Sequence, residues 1–521
     1  MKNITLLKAK VGILAVSCLS ITALFACVDK DARSDLNPNL PTDQAQNGDF
    51  GDQGGGSEQG LNFPVFDDGV LAFPGAEGYG KNVTGARAGE GREIYHVTNL
   101  NDAGPGSFRD AVSKPWRIIV FDVSGVIKLS SNPIVLKSNQ TILGHTAPGD
   151  GIVLYNGRVS ASGAQNLIVR YLRIRMGAAY PSELDACGIA NGANMIFDHC
   201  SMTWGKDECF SINPDGKGTA PKNITIQNSI IGQGLQNHSC GGLMQTDISN
   251  GCTIFRNLYI DNKTRNPKVK GLNQFVNNVV YNWGSGAAYN MSGDSQGKSE
   301  TTIENNYFIV GPCHNWQNVA QPDGSIKTEY VPINPARPFT GGNGNFNTYC
   351  KGNYYDNNKD GALDGVEITE TNWSQYCSGS PVFLEARSDL HPIIRSQKSA
   401  QEAYEWVVEK VGAYLPVRDE VDKYLMDELI SLGRKGTIIQ DERKAEQFPL
   451  GGPGTINAAQ KPLDSDNDGM PDAFEDAWGL DKYDSTDAVK EAKNGYLNIE
   501  NYALSLEYPD EYEYELNKNK Q

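Results

Sequence analysis

The sequence predicts an all-β protein, a right-handed parallel β-helix, and three observations carry that reading. From about residue 72, short runs of β-forming residues alternate with Gly, Asn and Asp, and no long helical pattern interrupts them until after residue 355. A hydrophobic content of 39%, with 56 Gly and 23 Tyr, suits a turn-rich globular chain. Six segments then share one form: VRYLRI (169–174), FDHCSM (197–202), IQNSII (226–231), FRNLYI (255–260), VNNVVY (276–281) and IENNYF (303–308). Their starts lie 28, 29, 29, 21 and 27 residues apart, which is the length of a solenoid rung. Sandwich strands recur more closely, at roughly 8 to 12 residues. An apolar residue opens each of these segments, and Asn228, Asn257, Asn278 and Asn305 recur at the third place. In stacked parallel strands those places would lie above one another, so that buried Asn amides hydrogen-bond along the stack.

The elements follow in chain order. Residues 1–26 read as an export leader: Lys2, Lys8 and Lys10 precede an apolar run from Val11 to Ala26 that is short for a membrane span. The run ends in Leu24-Phe25-Ala26-Cys27, similar to a bacterial lipobox, which implies cleavage before Cys27 and lipid on its sulfur. The resulting expectation is an outer-membrane-anchored lipoprotein of a Gram-negative bacterium; the alternative is an ordinary secretory signal with an incidental Cys. Residues 27–70, including GDQGGGSEQG, hold too little apolar content to fold and read as a tether. Residues 71–398 form the expected β-helix. Within 399–460, SAQEAYEWVVEKVGAY and RDEVDKYLMDELISLG place Trp406, Val407, Val411 and Val421, Tyr424, Leu425, Leu429 at helical spacing, with Gly433 as a C-terminal cap. These helices are expected to pack on the solenoid or cover its end, where open strand edges need protection.

Residues 461–521 carry DSDNDGMPDAFE (464–475), in which Asp464, Asp466, Asp468, Asp472 and Glu475 occupy places 1, 3, 5, 9 and 12 of a twelve-residue calcium loop. Gly469 permits the sharp turn, and the carbonyl of Met470 is expected to face the ion. One complete loop without a second copy points to a structural Ca2+, with Asp481, Asp484 and Asp487 as weaker candidates to extend the site.

Of ten Cys, Cys18 and Cys27 belong to the leader, and the remaining eight show no zinc-type spacing. Disulfides and buried free thiols both remain open for them. The formal net charge of -17 argues against nucleic acid as a partner. Against that background KTRNPKVKG (263–271) gathers Lys263, Arg265, Lys268 and Lys270 around Pro267, the mark of a focused anion site.

The rungs together with RNPKVKG resemble polysaccharide lyase family one, the pectate lyases, whose signature is an R-x-P-x-x-R turn after a β-helix strand. FPGAEGYG, VTNLNDAGPGSFRDAV, IVFDVSGVI and TILGHTAPGDGI resemble the N-terminal part of bacterial members, and DHCSMTWGKDE matches the family's D-H strand region. The tail from DSDNDGMPDAFEDAWGLD to GYLNIENY resembles an extension on related bacterial lyases. The likeness covers about residues 72 to 355 and the tail.

The resemblance implies that Arg265 is the catalytic arginine and that Lys270 stands for the second arginine of the motif, without its bidentate fork. It implies Asp185 and Asp207 as ligands of a catalytic Ca2+, with Ser211 where a third acid is usual, unless Glu183 or Glu208 supplies that oxygen. His238, Lys263 and Lys268 are the expected substrate-binding residues. The substrate implied is an acidic plant polysaccharide, polygalacturonate or pectin, cleaved by a monomeric enzyme through β-elimination. Over residues 166–275 there are 11 Lys+Arg against 8 Asp+Glu, consistent with a groove for sugar carboxylates. Neighbouring Lys263, Lys268, Lys270 and calcium are expected to press the Arg265 pKa downward. Three alternatives remain: a pectin lyase on methylated substrate, a β-helix hydrolase and a non-catalytic glycan-binding protein. The hydrolase is disfavoured because Asp207 and Glu208, if on a strand, would face opposite ways.

Overall fold

A computed structural model describes residues 69–518 apart from 131, 285–287, 292–296 and 334–336. The expected leader, Cys27 and nearly all of the tether lie outside the described residues. Among the described residues no helix is long and apolar enough to cross a membrane.

Three strands recur turn after turn, each feeding its own sheet. An eleven-stranded sheet runs from Glu93–Val97 to Val382–Phe383, a ten-stranded sheet from Gly125–Lys128 to Val366–Ile368, and an eight-stranded sheet from Ile134–Val135 to Phe339–Gly341. Pairing within them is parallel, except that Asn353–Asp356 meets Val366–Ile368 antiparallel. This is the right-handed parallel β-helix read from the repeat. Its interior is a set of in-register columns: Val169, Phe197, Ile226, Ile254, Phe275 and Ile303 lie above one another, all fully buried. Each such residue contributes about 1.5–3 kcal/mol by leaving water.

Two places beyond that column the chain turns from the eleven-stranded to the ten-stranded sheet. The corner residues Tyr171, His199, Asn228, Arg256, Asn277 and Asn305 all adopt left-handed backbone, with φ between 50° and 57°. One place further comes the amide ladder, in which Nδ2 of Asn257, Asn278 and Asn306 donates to Oδ1 of Asn278, Asn306 and Asn353 at 3.1, 3.1 and 2.8 Å. The expected ladder of third-place Asn is therefore right at Asn257 and Asn278 and one residue out elsewhere. Asn228 and Asn305 are corner residues, and Ser229 and Asn306 take the ladder places. The reason is register: the segments at 226 and 303 open on the inward residue, whereas Phe255 and Val276 stand one place after it.

The helix Ala400–Lys410 begins with a capping box of Ser399 and Glu402, and the helix Glu420–Leu429 is capped by Asp419. Tyr404, Val407, Leu425 and Leu429 pack on Ile230, Leu258, Val279 and Tyr307, the outer face of the ten-stranded sheet, so they cover a flank of the solenoid. Met470, Phe474, Trp478 and Ile499 pack on Ile118, Val120, Leu143 and Ile168, the outer face of the eleven-stranded sheet. The outer face of the eight-stranded sheet is left for the site. All eight Cys among the described residues are buried and unpaired.

Candidate active site

The loops that enter the eight-stranded sheet carry the chemistry. Asp185 precedes the strand Cys187–Ile189, Asp207 and Glu208 precede Phe210–Ile212, His238 and Cys240 precede Leu243–Gln245, and Arg265 precedes Lys268–Lys270. Parallel bridges join Glu208 to Cys240 and Cys240 to Thr264, stacking these loops at a rung spacing of about 4.8 Å. Arg265, 57 residues beyond Glu208 in the chain, is thus two rungs away in space.

One carboxylate oxygen each from Asp185, Asp207 and Glu208 lies within 4.8 Å of the others. The Arg265 guanidinium is ion-paired with Glu208 and stands 4.0 Å from Asp207. His238 Nε2 meets Asp207 Oδ1 at 2.9 Å, and Arg158, one rung before Asp185, approaches it at 3.9 Å. Arg265 has left-handed backbone, φ 56°, as do the corner residues of the solenoid.

The three acids differ in proton affinity. Burial, reinforced by hydrogen bonding to Asp185, pushes the Glu208 carboxyl up to about 9, and burial also raises Asp185. The hydrogen bond from His238 outweighs burial at Asp207 and holds it below the usual range. For Arg265 the expected downward shift is not found. Burial pulls it down, but Cys240, Glu208 and Asp207 together push it up further. Burial raises the Cys240 thiol well above its usual value, so it is neutral near pH 7; the ionised Asp207, joined by Glu208 once that carboxyl loses its proton, favours the protonated guanidinium.

Asp185, Asp207, His238 and Arg265 are therefore brought together, and Glu208 supplies the third acid. Ser211 does not: it is 2% exposed within its strand, and its Oγ accepts from the Leu243 amide at 3.2 Å. Asp207 and Glu208 lie in a bend and an isolated bridge rather than a strand, so their carboxylates converge, and strand alternation gives no argument against a carboxylate pair. Lys268 and Lys270 flank inward-facing Val269 on the outer face of the eight-stranded sheet. Lys270 lines a shallow cavity with Thr246 and Asp247, and no ion pair or hydrogen bond among the described residues ties its side chain to the acids. Lys263 is half-buried, its amide on Ser239 Oγ at 3.1 Å. The positive excess over 166–275 is not groove charge, because Arg170, Arg173, Arg175 and Arg256 are buried on other flanks. Arg158 and the full role of Glu208 escaped sequence reasoning; rung-by-rung alignment of Arg158 with Asp185 was the signal that could have found the former.

The twelve-residue loop presents a second group. Asp464, Asp466 and Asp468 converge, and Asp468 converges with Glu475 and Asp487. Asp487 thus takes the part expected of Asp472, whose carboxylate accepts from the Ser465 amide and hydroxyl at 2.7 and 2.8 Å. Asp466 Oδ2, Asp468 Oδ2, both Glu475 oxygens and Asp487 Oδ1 are buried without a hydrogen-bond partner among the described residues. Such a donor set fits a Ca2+ ion. Burial and neighbouring acids raise Asp468 to about 7 and Glu475 to about 8, the behaviour of carboxylates arranged for a cation. The Met470 side chain is fully buried against the eleven-stranded sheet, with its amide on Asp468 Oδ1 at 2.9 Å.

A family model described as pectate lyase matches residues 74–351. A probable pectate lyase C from Aspergillus fumigatus is 48% identical over 437 residues, covering 84% of this chain and 94% of its own. The corresponding protein of Aspergillus flavus is 47% identical over 448 residues, covering 86% and 96%. Among solved structures, pectate lyase C from Erwinia chrysanthemi with Ca2+ has 16% identity and a TM-score of 0.39, covering 66% of this chain and 98% of its own. The expected outer-membrane lipoprotein of a Gram-negative bacterium is overturned by the curated relatives, which come from Aspergillus, Neosartorya and Emericella.

Proposed function

The chain belongs to the pectate lyase family and is a polysaccharide lyase, and on that premise we propose that it cleaves polygalacturonate by β-elimination at the cluster of Asp185, Asp207, Glu208, His238 and Arg265. The supporting observation is the convergence of three carboxylates, two of which, Glu208 and Asp207, reach the Arg265 guanidinium from another rung. A purely structural ion pair needs one acid per cation; here two further acids are drawn in, which fits a site built for a divalent ion beside a base.

Elimination removes the proton at C5, beside the sugar carboxylate, and expels the C4 oxygen. Arg265 is the base in this reading, and it must be neutral when it takes that proton. Glu208 opposes that state while paired with it, so activity is expected to favour alkaline pH. Asp207 orients His238, whose ring stands exposed at the mouth of the site for a sugar hydroxyl. Lys268 and Lys270, on the outer face of the eight-stranded sheet, would hold carboxylates of neighbouring sugars, so Lys270 moves from the chemistry to the binding groove. Calcium held by Asp185, Asp207 and Glu208 would supply positive charge against the carboxylate next to C5, stabilising the charge that develops there.

The test is product analysis on polygalacturonate with Arg265→Lys at saturating calcium. Loss of at least about a thousandfold in kcat, read as ultraviolet-absorbing unsaturated ends, is expected for removal of the base. Near-normal turnover would exclude Arg265, and saturated ends from the unaltered protein would exclude elimination.

A further inference from the structure

The corner between the eleven-stranded and ten-stranded sheets, away from the loops that hold Arg265, opens into a second cavity of about 460 Å³. Its floor is the left-handed corner column, including His199, Asn228 and Arg256, and its walls are Trp406 and Tyr414 from the helical segment and Tyr508 from the C-terminal tail.

Of the acids that line it, Asp510 and Glu511 are exposed on the tail, while Asp198 and Glu507 share one buried cation. Arg170 pairs with both Asp198 and Glu507, at 2.8 and 2.7 Å, and Asp198 also accepts from Gln227 and Asn228. Arg256 is different. It is 7% exposed, its Nε donates to Asn228 Oδ1 at 3.1 Å, and its guanidinium lies between the rings of Phe255 and Trp406 at 4.4 and 4.1 Å. It has no carboxylate within ion-pair distance, and its two Nη groups have no hydrogen-bond partner among the described residues. A planar cation so buried, with its fork unused, is a site for a carboxylate.

His199 supplies the complement. It stacks on Tyr171 with centroids 4.8 Å apart, and its Nδ1 lies 3.3 Å from the Gly412 carbonyl, which assigns the proton to Nδ1. Burial pushes its pKa down to about 4, so the ring is neutral and Nε2, without a partner among the described residues, is an acceptor. It stands two rungs from Arg256, about 9.6 Å between backbones, which leaves room for one pyranose ring between a carboxylate on the guanidinium and a hydroxyl donating to the imidazole. Aromatic walls suit the apolar faces of such a ring.

We propose that this cavity binds a hydroxylated carboxylate of monosaccharide size, a uronic acid, at a site separate from the cleavage centre. The reaction's own product carries that chemistry, as do other uronates. The proposal does not depend on which residue is the base.

The test titrates the full chain with D-galacturonate by calorimetry, with D-glucuronate and D-galactose in parallel, in the unaltered protein and in Arg265→Ala and Arg256→Met. A saturable galacturonate event that survives Arg265→Ala and weakens about tenfold or more in Arg256→Met is expected, that being the cost of one charged bidentate contact. Galactose should not compete, and cleavage of polygalacturonate should be unchanged in Arg256→Met. Glucuronate binding equally well would define a general uronate site, and weaker binding one selective for the product's sugar; both support the class. Binding lost in Arg265→Ala and kept in Arg256→Met, equal competition by galactose, or no saturable binding at millimolar ligand overturns it. Should Arg256→Met fail to fold by circular dichroism, Trp406→Leu, which removes a half-buried wall, gives the same readout.

Discussion

Replacing Asn306 by Ala tests the stacking register directly. The Asn306 side chain accepts from the Asn278 amide at 2.7 Å and from Asn278 Nδ2 at 3.1 Å, and donates to the Phe275 carbonyl at 3.0 Å and to Asn353 Oδ1 at 2.8 Å. Asn278 Nδ2 keeps the Ile254 and Val276 carbonyls, and Asn353 Oδ1 keeps the Asn306 amide, so these survive truncation. The Asn278 N–H and the Phe275 carbonyl lose a partner in a fully buried stack. The Phe275 carbonyl stays within a ladder paired on both sides, so the orphaned group is the Asn278 N–H, and the cost is about 1–3 kcal/mol. The neighbouring Asn305→Gly is the control: its left-handed φ of 52° suits glycine, its side chain lies outside the ladder, and its cost should stay below about 1 kcal/mol. Urea unfolding followed by tryptophan fluorescence, with slopes compared to confirm a common transition, measures both. Equal costs for the two variants, or a cost below about 1 kcal/mol for Asn306→Ala, would refute the register and with it the stacking that assembles the active site.

The two calcium groups should separate. Glu475→Gln should lower the melting temperature in calcium, because a bound ion at a hundredfold its Kd contributes about 2.7 kcal/mol, while initial cleavage rates at low temperature stay near normal; coincident loss of both would place the ions in one functional unit. Asp185→Asn should do the reverse, abolishing cleavage with little change in calcium-dependent melting, as thermal scans paired with product absorbance would reveal. Asp261 and Glu428 are buried together between solenoid and helix; burial raises Asp261 to about 6 against the lowering effect of hydrogen bonds to Glu428 and Asn282, and burial together with the Asp261 charge raises Glu428 well above its usual value. The native state therefore binds protons more tightly than the unfolded chain, so stability present at acid pH falls as pH rises from about 4 through 6 and beyond. Glu428→Gln should flatten that decline, and an unchanged pH profile of unfolding free energy would remove the pair as its cause.

Much of this was legible in the residues. The recurrence from Val169 to Ile303 announced the solenoid, because a rung repeats one local pattern and burying its apolar residue requires a neighbour carrying the same pattern. Asp464 to Glu475 announced a cation loop for a similar reason: its ligands lie within a few residues and the turn at Gly469 brings them together. Arg265, Asp185 and Asp207, singled out by their resemblance to a motif, do come together in space. The misses share one origin. Asn305 against Asn306, Ser211 against Glu208 and Asp472 against Asp487 are choices between candidates that chain order alone does not rank. So is the destination of Arg170, Arg173 and Arg175, which swelled the charge count of the groove segment yet turned to other flanks.

Periodicity and local spacing, then, were sufficient for the solenoid, the presence of a basic turn among acids, and a loop whose acids converge. Which carboxylates converge, which acids face the Arg265 guanidinium, and that Arg256 has no ion-pair partner among the described residues were decided by tertiary structure. Those outcomes depend on the offset between rungs and the length of each loop, and a shift of one residue reverses the direction of a side chain while leaving the repeat intact.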